Sequence, residues 1–595
     1  MTGTPWQGLL LILLLSGSFQ VLAQQPVATA SMEKVSPGSV KILPVQQRDP
    51  NPSTSQRFKV EQIIVTGYQE YPELGITQAA VDGLVAKSLV AAQAASEPNS
   101  SGFSTDELDQ LGRFLSGLNI HQRTTPLTAE ESAAMLAFIE TQKRHRGVSV
   151  VQLEQIAGQV SDFFEQHGLP LAVAFLPAQQ VRQGEVRLEV LEGRLSQVNV
   201  VGAEHYRPQF IQQALSPLVG QIVRRRQIDS ALYLLNDLPG LDSRGTFTAG
   251  SSVGDSRLDL AVLRDDRFEG LLQIDNHGDD ETGNNRLQLQ QYWFNPSGRG
   301  DRLLLGLLQS FSPTNATSGY AQYQVPVASL RNRFLVSASK GAFDWQEMLD
   351  GDTREVSLGF DRVLRRSRTR SLSTELSLTA QSLTLDQQTL QLEDQKLTFA
   401  SGLLRGNWVF DGPRIEWDAR VQFDLGRIRE GKVFGQQSSF WRTTLDTAAW
   451  RLIALPGFAA PQKLSVTLKA QIGSGALPAT LQFPLGGVHR VKAFDVSTYS
   501  GDRGIYTGLA YVFTPEHAAG SWRLFTGIAY GEQVSFGGAD DSWAYLAGAG
   551  VGWDITLWDR FESRLRASLP LASKSAGYDV TDRGFNLYWS LRYRY

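Results

Sequence analysis

The chain has 595 residues and carries 56 lysines and arginines against 60 aspartates and glutamates, a formal net charge of −4. This near balance leaves no basic footprint for nucleic acid, and the absence of cysteine excludes disulfides, thiolate metal sites and cysteine nucleophiles. The 55 glycines and 10% aromatic residues suit a β-rich chain with many turns.

The amino-terminal segment, residues 1–23, is predicted to be a secretory signal peptide. Leu9–Leu15 form its apolar core, and Val21-Leu22-Ala23 offers a small-residue cleavage site. No lysine or arginine precedes the core, so a membrane-anchor helix is the alternative. Residues 24–56 contain five prolines and are predicted to be a Pro-rich, mobile linker. No later segment approaches the ~20 apolar residues of a membrane helix, so a membrane location would require a barrel.

Residues 57–193 are predicted to form a first α/β module in the order strand, helices, strand, strand. Apolar spacing and a capping box at Thr128 and Glu131 support the helices. The predicted elements cover Arg57–Gly67, 108–115, 135–139, Val151–Gln166, Leu171–Leu176 and Glu185–Leu191.

The same order of elements repeats over residues 194–265, which are predicted to form a second module. Its elements are predicted at Arg194–Val201, Pro208–Leu218, Arg226–Leu235, Thr246–Ala249 and Arg257–Leu263. The sequence therefore predicts two α/β modules in tandem, followed by a region of different hydrophobic pattern.

Four stretches of these modules resemble the POTRA domains of two-partner secretion transporters, which belong to the POTRA-barrel superfamily of outer-membrane assembly and secretion proteins. Phe163–Gly168, Leu176–Gln180 and Glu185–Gly193 resemble the first POTRA domain, and Leu234–Gly240 resembles the second. The resemblance covers most of residues 148–263.

This resemblance implies POTRA 1 at residues 57–193, with a helical insertion at about 68–147 that a minimal domain lacks, and POTRA 2 at residues 194–265. A POTRA sheet presents a strand edge whose unpaired N–H and C=O groups can accept an extended segment of another protein. The alternative is that the modules are folded spacers. The residues predicted to form this substrate edge are Leu171, Val173, Phe175, Pro177, Gln179 and Gln180.

From residue 266 onward, helical spacing gives way to alternating segments separated by turns. In Arg414–Leu425, apolar residues occupy every second position, and charged or polar residues lie between them. Polar groups in such a row cannot cheaply face a dry core, but they can face a water-filled lumen while the apolar row meets lipid. About sixteen such strands predict a transmembrane β-barrel over residues 266–595. A pair of soluble β-sandwiches is the alternative.

The last thirteen residues are predicted to be the strand that closes the barrel. One face is apolar and aromatic at both ends, and the other carries polar and basic residues. The apolar face consists of Phe585, Leu587, Trp589, Leu591, Tyr593 and Tyr595. Short turns are expected in the periplasm and long loops outside. Long loops are predicted at His277–Gly283, Gln346–Asp352, Arg427–Ser438 and Gln533–Ser542.

The longest connection, residues 475–502, resembles the characteristic loop of the superfamily, which folds back into the lumen. The residues predicted to form its tip are Arg490, Val491, Lys492, Ala493 and Phe494. The family tip reads Val-Arg-Gly followed by Tyr or Phe, so Lys492 and Ala493 depart from it. The alternative is an external loop with no role in the lumen.

A second motif, on the barrel wall, departs from the family in a matching way. The family arginine pairs with a wall aspartate, and Ala529 stands in its place here, in a motif that also contains Gly527, Gly531 and Glu532. The family arginine and aspartate are absent together, as expected of an ion pair, because either charge buried without its partner would destabilise the protein. Three arrangements remain open: Lys492 pairs with another acid, for which Glu532 is a candidate, Arg490 takes the arginine's part, or the loop is held loosely.

No catalytic, metal or cofactor site is predicted. Gly250-Ser251-Ser252-Val253-Gly254 fits the G-x-S-x-G pattern of esterases, but a nucleophile elbow needs a following helix, and Arg257–Leu263 is predicted to be a strand. A hairpin turn is therefore expected there. The seven histidines form no H-E-x-x-H and no i, i+4 pair.

The resemblance implies an outer-membrane transporter of a two-partner secretion system, with its POTRA domains in the periplasm. The partner would be a large exoprotein, of adhesin or haemolysin type, that arrives unfolded and is recognised through an amino-terminal secretion domain. The barrel would lie in outer-membrane lipid after insertion by the barrel assembly machinery. A factor that inserts other barrels is the leading alternative, followed by a small-solute porin; an outer-membrane lipase would need a nucleophile.

Overall fold

The computed structural model describes residues 57–595 with gaps, and the predicted signal peptide and linker lie outside the described residues. Two α/β modules precede a closed β-barrel. The gaps are residues 95–102, 104, 118–127, 145–146, 279–282, 312–314, 346–348, 388–389, 413, 432–435, 459, 517, 535–540, 578–579 and 581–583.

The first module is a three-stranded sheet packed against two helices. Its elements are β1 Arg57–Phe58, β2 Gln62–Thr66, α1 Gln78–Ala94, α2 Thr105–Gly117, α3 Ala129–Arg144, β3 Val148–Ser149, α4 Val150–Gln166, β4 Val173–Phe175 and β5 Glu185–Leu191. The sheet order is β2-β5-β4, with β5 parallel to β2 and antiparallel to β4. The short strands β1 and β3 pair separately.

The helical insertion is shorter than predicted. We predicted it to begin at about residue 68, but Val81, Val85 and Leu89 of α1 are buried in the same core as the sheet. Alanines surround this stripe, so the helical spacing of α1 is not distinctive in the sequence. Among the described residues, the core of the sheet includes none from α2 or α3, whose Phe114 and Phe138 rings stack 4.7 Å apart.

The second module repeats the arrangement around its own core. Its elements are β6 Arg194–Val201, α5 Pro208–Leu215, α6 Arg225–Asn236, β7 Leu241–Ala249 and β8 Asp255–Asp265, in the sheet order β6-β8-β7. The core includes Leu195, Ile211, Leu235 and Leu258. Gly250–Gly254 join two antiparallel strands, β7 and β8, so this segment lacks the strand-to-helix elbow of an esterase.

The two modules contact each other through a polar and cationic junction. The Arg224 guanidinium of the second module lies 5.0 Å from the centre of the Tyr71 ring, and Tyr71 Oη donates to Glu192 of its own module (2.8 Å). Burial and this hydrogen bond raise the pKa of Tyr71. Arg225 pairs with Glu165 at 2.9 Å. The two modules are therefore in direct contact with each other.

The barrel predicted from the sequence is confirmed: the described residues form sixteen antiparallel strands in a closed ring. No helix in the described ranges is long and apolar enough to cross a membrane. The barrel strands are β9 Phe268–Asp275, β10 Asn285–Phe294, β11 Arg302–Phe311, β12 Asn315–Val327, β13 Ser329–Trp345, β14 Leu349–Arg366, β15 Arg370–Gln387, β16 Leu390–Phe410, β17 Ile415–Glu430, β18 Ser439–Ile453, β19 Gln462–Gly473, β22 Arg503–Phe513, β23 Ser521–Gln533, β24 Ser542–Leu557, β25 Phe561–Ala576 and β26 Asn586–Arg594. Two further short strands, β20 Phe483–Pro484 and β21 Ser500–Gly501, lie between β19 and β22.

The strands are longer than predicted on the side away from the modules. The predicted loop at Gln346–Asp352 is largely strand, since β13 ends at Trp345 and β14 begins at Leu349. Residues 346–352 read Gln-Glu-Met-Leu-Asp-Gly-Asp and do not alternate, so the sequence pattern that indicates strands ends before the backbone pairing does.

The second module packs on the connections at one end of the barrel. Asp237, which directly follows α6, accepts two hydrogen bonds from Arg366, at 2.7 and 2.8 Å. Arg331 donates to Ser230 Oγ of α6 (2.8 Å), and Leu330 packs against the core of the second module. We call this end of the barrel the module side.

Candidate functional site

The connection between β19 and β22, residues 474–502, is a folded element. Its strands β20 and β21 pair antiparallel, through Phe483 with Gly501 and Pro484 with Ser500. Short 3-10 turns at Ala479–Leu481 and Val496–Thr498 flank the tip. The segment is therefore a hairpin with a structured tip rather than an extended connection.

The tip lies inside the barrel. Val491 and Phe494 are only 1% and 2% exposed, and they share an apolar cluster with Ala529 of the barrel wall. Ala529 is 1% exposed, whereas its neighbours Ile528 and Tyr530 are 49% and 37% exposed. Adjacent residues of a strand point to opposite faces, so Ile528 and Tyr530 point outward and Ala529 points into the lumen. The tip that covers Ala529 therefore lies in the lumen.

Polar contacts from two further strands hold the tip. Ser568 Oγ of β25 donates to the Lys492 carbonyl at 2.9 Å, and Asn586 Nδ2 of β26 donates to Asp495 at 3.1 Å. Both contacts come from the lumenal face of the wall. They give the tip one lateral position against β23 to β26.

Glycines of the wall make room for the loop. A Cβ added to Gly548 would lie 2.7 Å from Ala493 Cβ, and one added to Gly531 would lie 3.0 Å from Leu485. The first distance is closer than real carbon contacts, so a side chain at 548 would push the tip away. Gly527 faces the Tyr506 ring in the same way, at 3.0 Å.

The base of the loop is fixed by buried polar groups that the sequence analysis did not identify. Asp502 accepts hydrogen bonds from the Leu477 and Val534 amides (2.8 and 2.7 Å) and from Gln482 (3.1 Å). Arg442, which is paired with buried Asp424 at 2.6 Å, donates to the Leu481 carbonyl. The only signal in the sequence is that these charges lie on strands or at a strand start, which does not reveal their partners.

We expect Asp502→Ala to loosen the base of the loop. It leaves three donors of Leu477, Gln482 and Val534 without their acceptor, which costs on the order of 2–4 kcal/mol in total. The variant should unfold at lower temperature in detergent, with faster proteolytic cleavage within residues 475–502. Asp502→Asn, which keeps one acceptor oxygen, is the matched control. Its unfolding temperature and cleavage rate should lie between those of the wild type and of Asp502→Ala. An alanine variant with wild-type cleavage would contradict the anchoring role.

The proposed pairing of Lys492 with Glu532 is wrong. Glu532 is on the same face of β23 as Tyr530, away from the lumen, and accepts a hydrogen bond from Tyr530 Oη at 2.6 Å. Lys492 Nζ lies 5.2 Å from the centre of the Phe525 ring, and the Arg490 guanidinium lies 4.4 Å from that of Phe483. In the described part of the chain neither cation forms an ion pair, so apolar packing and the hydrogen bonds from Ser568 and Asn586 hold the tip instead.

The predicted substrate edge is partly covered. Val173 and Phe175 lie in the edge strand β4, but the amide of Ala174 between them donates to Ser161 Oγ of α4 (2.8 Å). Beyond β4, the Gln179 side chain bonds both backbone groups of Arg187 in β5, at 2.6 and 2.8 Å. The side-chain amide of Gln179 therefore makes the two hydrogen bonds to Arg187 that one residue of an added strand would make.

Leu171 does not belong to this edge, which corrects the prediction. It is 8% exposed and packs in the core cluster of the second module. The strand begins two residues later than predicted, at Val173, because β4 has only three residues. Pro177 and Gln180 lie beyond β4, outside the paired strand.

The closing strand β26 pairs with β25 and with the first barrel strand β9. Tyr595 exchanges two backbone hydrogen bonds with Gly270 (2.9 and 3.1 Å), where a Cβ would clash with the tyrosine ring. Phe585 is exposed on the outer face, the Trp589 amide donates to Asn276 (2.7 Å), and Tyr593 stacks on Phe561. The aromatic face therefore borders the seam that completes the ring.

Comparison with known proteins finds two family models. The model described as haemolysin secretion/activation protein ShlB/FhaC/HecB matches residues 254–555, and the ShlB-type POTRA domain matches residues 131–193. The heme/hemopexin transporter protein HuxB of Haemophilus influenzae strain Rd is 22% identical over 375 residues, 60% of this chain and 65% of the relative. The match thus spans less than two thirds of that relative.

Solved structures show the same fold over the whole chain. CdiB from Escherichia coli superposes with a TM-score of 0.67 at 18% identity, covering 100% of this chain and 99% of that one. CdiB from Acinetobacter baumannii gives 0.65 at 15% identity, covering 99% of both chains. The overall fold is therefore shared with these proteins.

Proposed function

The chain belongs to the haemolysin secretion/activation protein family (ShlB/FhaC/HecB), and from this membership we propose that it is the outer-membrane transporter of a two-partner secretion system. The observation that carries the proposal is the combination of a closed sixteen-stranded barrel, a hairpin packed within its lumen and two α/β modules on one end. The passenger would be a large exoprotein, of adhesin or haemolysin type, that crosses the barrel unfolded.

The two ends of the barrel support one orientation in the membrane. The module side carries the amino-terminal modules, and the strands extend further on the opposite side. In outer-membrane barrels the short turns face the periplasm. We therefore assign the modules to the periplasm, where they would meet the passenger's amino-terminal secretion domain before it enters the lumen.

Recognition of the passenger by strand addition is supported by the contact of Gln179. Its side-chain amide satisfies the N–H and C=O of Arg187 at the place where an extended peptide would pair with β5. An incoming segment would replace Gln179 and continue the line of β4. Ser161, which holds the Ala174 amide, limits addition on the outer side of β4.

Transport through the lumen requires the loop to move. Its tip is packed on β23 to β26, so the resting state is closed there. No cofactor enters the proposal. Folding of the passenger outside the cell supplies direction, because a chain that has folded cannot slip back through the barrel in extended form.

The function is tested by comparing the exported proteins of cells with and without the gene. We expect the deletion to remove one or two very large proteins from the surface or medium, and the wild-type gene supplied in trans to restore them. A broad fall in many outer-membrane barrels would instead identify a factor that inserts other barrels. Unchanged export with altered uptake of small solutes would identify a porin.

A further inference from the structure

A cavity of about 310 Å³ lies in the lumen beside the loop tip. This volume is at the lower end of the ~300–1,000 Å³ typical of ligand sites. Among the described residues that line it, none is acidic. Six of the lining residues are permanently or normally cationic: Arg490, Lys492, Arg523, Arg564, Arg566 and Arg592.

Carboxylates behind the lining neutralise only part of this charge. Asp554 is shared by Arg566, at 2.5 Å, and Arg523, at 3.5 Å. Glu562 is shared by Arg564, at 2.9 Å, and Arg594, at 3.0 Å. Two carboxylates thus face more than twice their number of cations, and the cavity carries excess positive charge.

Two carboxylates beyond the lining are already paired with other cations. Asp446 pairs with Lys469 at 2.7 Å, and Asp275 pairs with Arg286 at 2.9 Å. Arg592 donates to the neutral side chain of Gln273. Asp446 and Asp275 still attract Arg490 and Arg592, but each is shared with its own partner, so together they offset the excess positive charge only in part.

Two guanidinium groups at the cavity have a buried donor without an acceptor. In the described ranges, neither Arg490 Nε nor Arg523 Nε has a hydrogen-bond partner. Unmade hydrogen bonds of buried charged groups are costly, and such groups are normally satisfied. An anion in the cavity would provide the missing acceptors and offset the repulsion between the cations.

The cavity lies between the loop tip and the module side. Arg564 and Arg566 follow the start of β25 at Phe561, which pairs with Tyr593 near the carboxyl end of β26. That end of β26 meets the beginning of β9, which directly follows the second module. A chain entering from the modules would reach this cavity before the loop tip.

We propose that this cavity binds the carboxylates of an acidic, extended segment of the transported polypeptide and holds it against the closed loop. The wall separates the cavity from lipid, so a polypeptide in the lumen fits it better than a lipid headgroup. The identification of the ligand as a segment of the passenger rests on the proposed function. The expected preference of the lumen for anions is independent of that function.

The test measures the full-length protein in planar bilayers. We expect anion selectivity in a potassium chloride gradient, and block of the current by hexaglutamate but not by hexalysine. Arg564→Gln with Arg592→Gln should shift the permeability ratio towards one and raise the half-blocking hexaglutamate concentration at least roughly tenfold, as expected when charge-assisted hydrogen bonds are removed. Arg354→Gln is the matched control, because Arg354 pairs with Asp352 away from the cavity, and it should leave both values unchanged.

Several outcomes would overturn the proposal: a cation-selective or unselective wild type, equal block by hexalysine, or a double variant with wild-type block. Block by inorganic phosphate at the same concentration as hexaglutamate would also overturn it, since a polypeptide segment would then have no advantage. Failure of the secretion comparison with anion selectivity intact would reject the transporter function while leaving the charged cavity established.

Discussion

Deletion of residues 57–263 should abolish export of the passenger while a folded barrel still reaches the outer membrane. The barrel closes within Phe268–Arg594, so its ring of hydrogen bonds does not use the modules. At the module side, the deletion removes polar interactions such as those of Arg366 with Asp237 and Arg331 with Ser230. The passenger in the medium is measured together with heat-modifiable mobility of the barrel.

The barrel's own properties supply the control for this deletion. Conductance in bilayers and heat-modifiable mobility should both persist in the deleted protein, which separates loss of the receptor from loss of the fold. Asp237→Ala is a second control, because it weakens the docking of the second module but leaves both module cores intact. Export that continues without residues 57–263 would refute a receptor role for the modules.

Removal of Val491–Phe494 should enlarge the conductance of the barrel several-fold and impair export. These residues include the most buried part of the tip and fill the lumen against β23 to β26. Gly548→Leu tests the same idea from the wall, because its Cβ would collide with Ala493 and displace the tip without changing the loop. Single-channel recordings and the amount of passenger in the medium are the two measurements.

Trp558→Ala is the matched control for these variants. Trp558 is highly exposed in a connection of the barrel and lies outside the cluster that holds the tip, so conductance should be unchanged. If the deletion and Gly548→Leu both conduct and export as the wild type does, the loop does not close the lumen.

The features that the sequence predicted well are those set by neighbouring residues. The alternation of Arg414–Leu425 indicates β17 because strand faces repeat every two residues, and Phe423 is indeed exposed while Asp424 is buried. The bounds predicted for β5 and β6 agree with the structure for the same reason. The barrel fold followed from repetition of this local pattern.

The features that the sequence did not predict depend on distant partners. Asp502 contacts Leu477 and Val534, and the cationic cavity draws arginines from three strands, so no local spacing marks either group. The orientation of Glu532 could have been derived by counting from Ala529 along β23. The charge of Glu532 alone suggests a partner for Lys492, but it does not show which face of β23 Glu532 occupies.

The pairing of β26 with β9 has a consequence for how the protein is made. Asn276 donates to the Leu587 carbonyl, a contact between residues 311 positions apart. Such distant pairing is slow compared with the hairpins that join consecutive strands. Until β26 has been synthesised, β9 keeps an unpaired edge on which other chains can aggregate. Closure of the barrel therefore waits for β26, and a chain without this strand is one the cell must hold soluble or degrade.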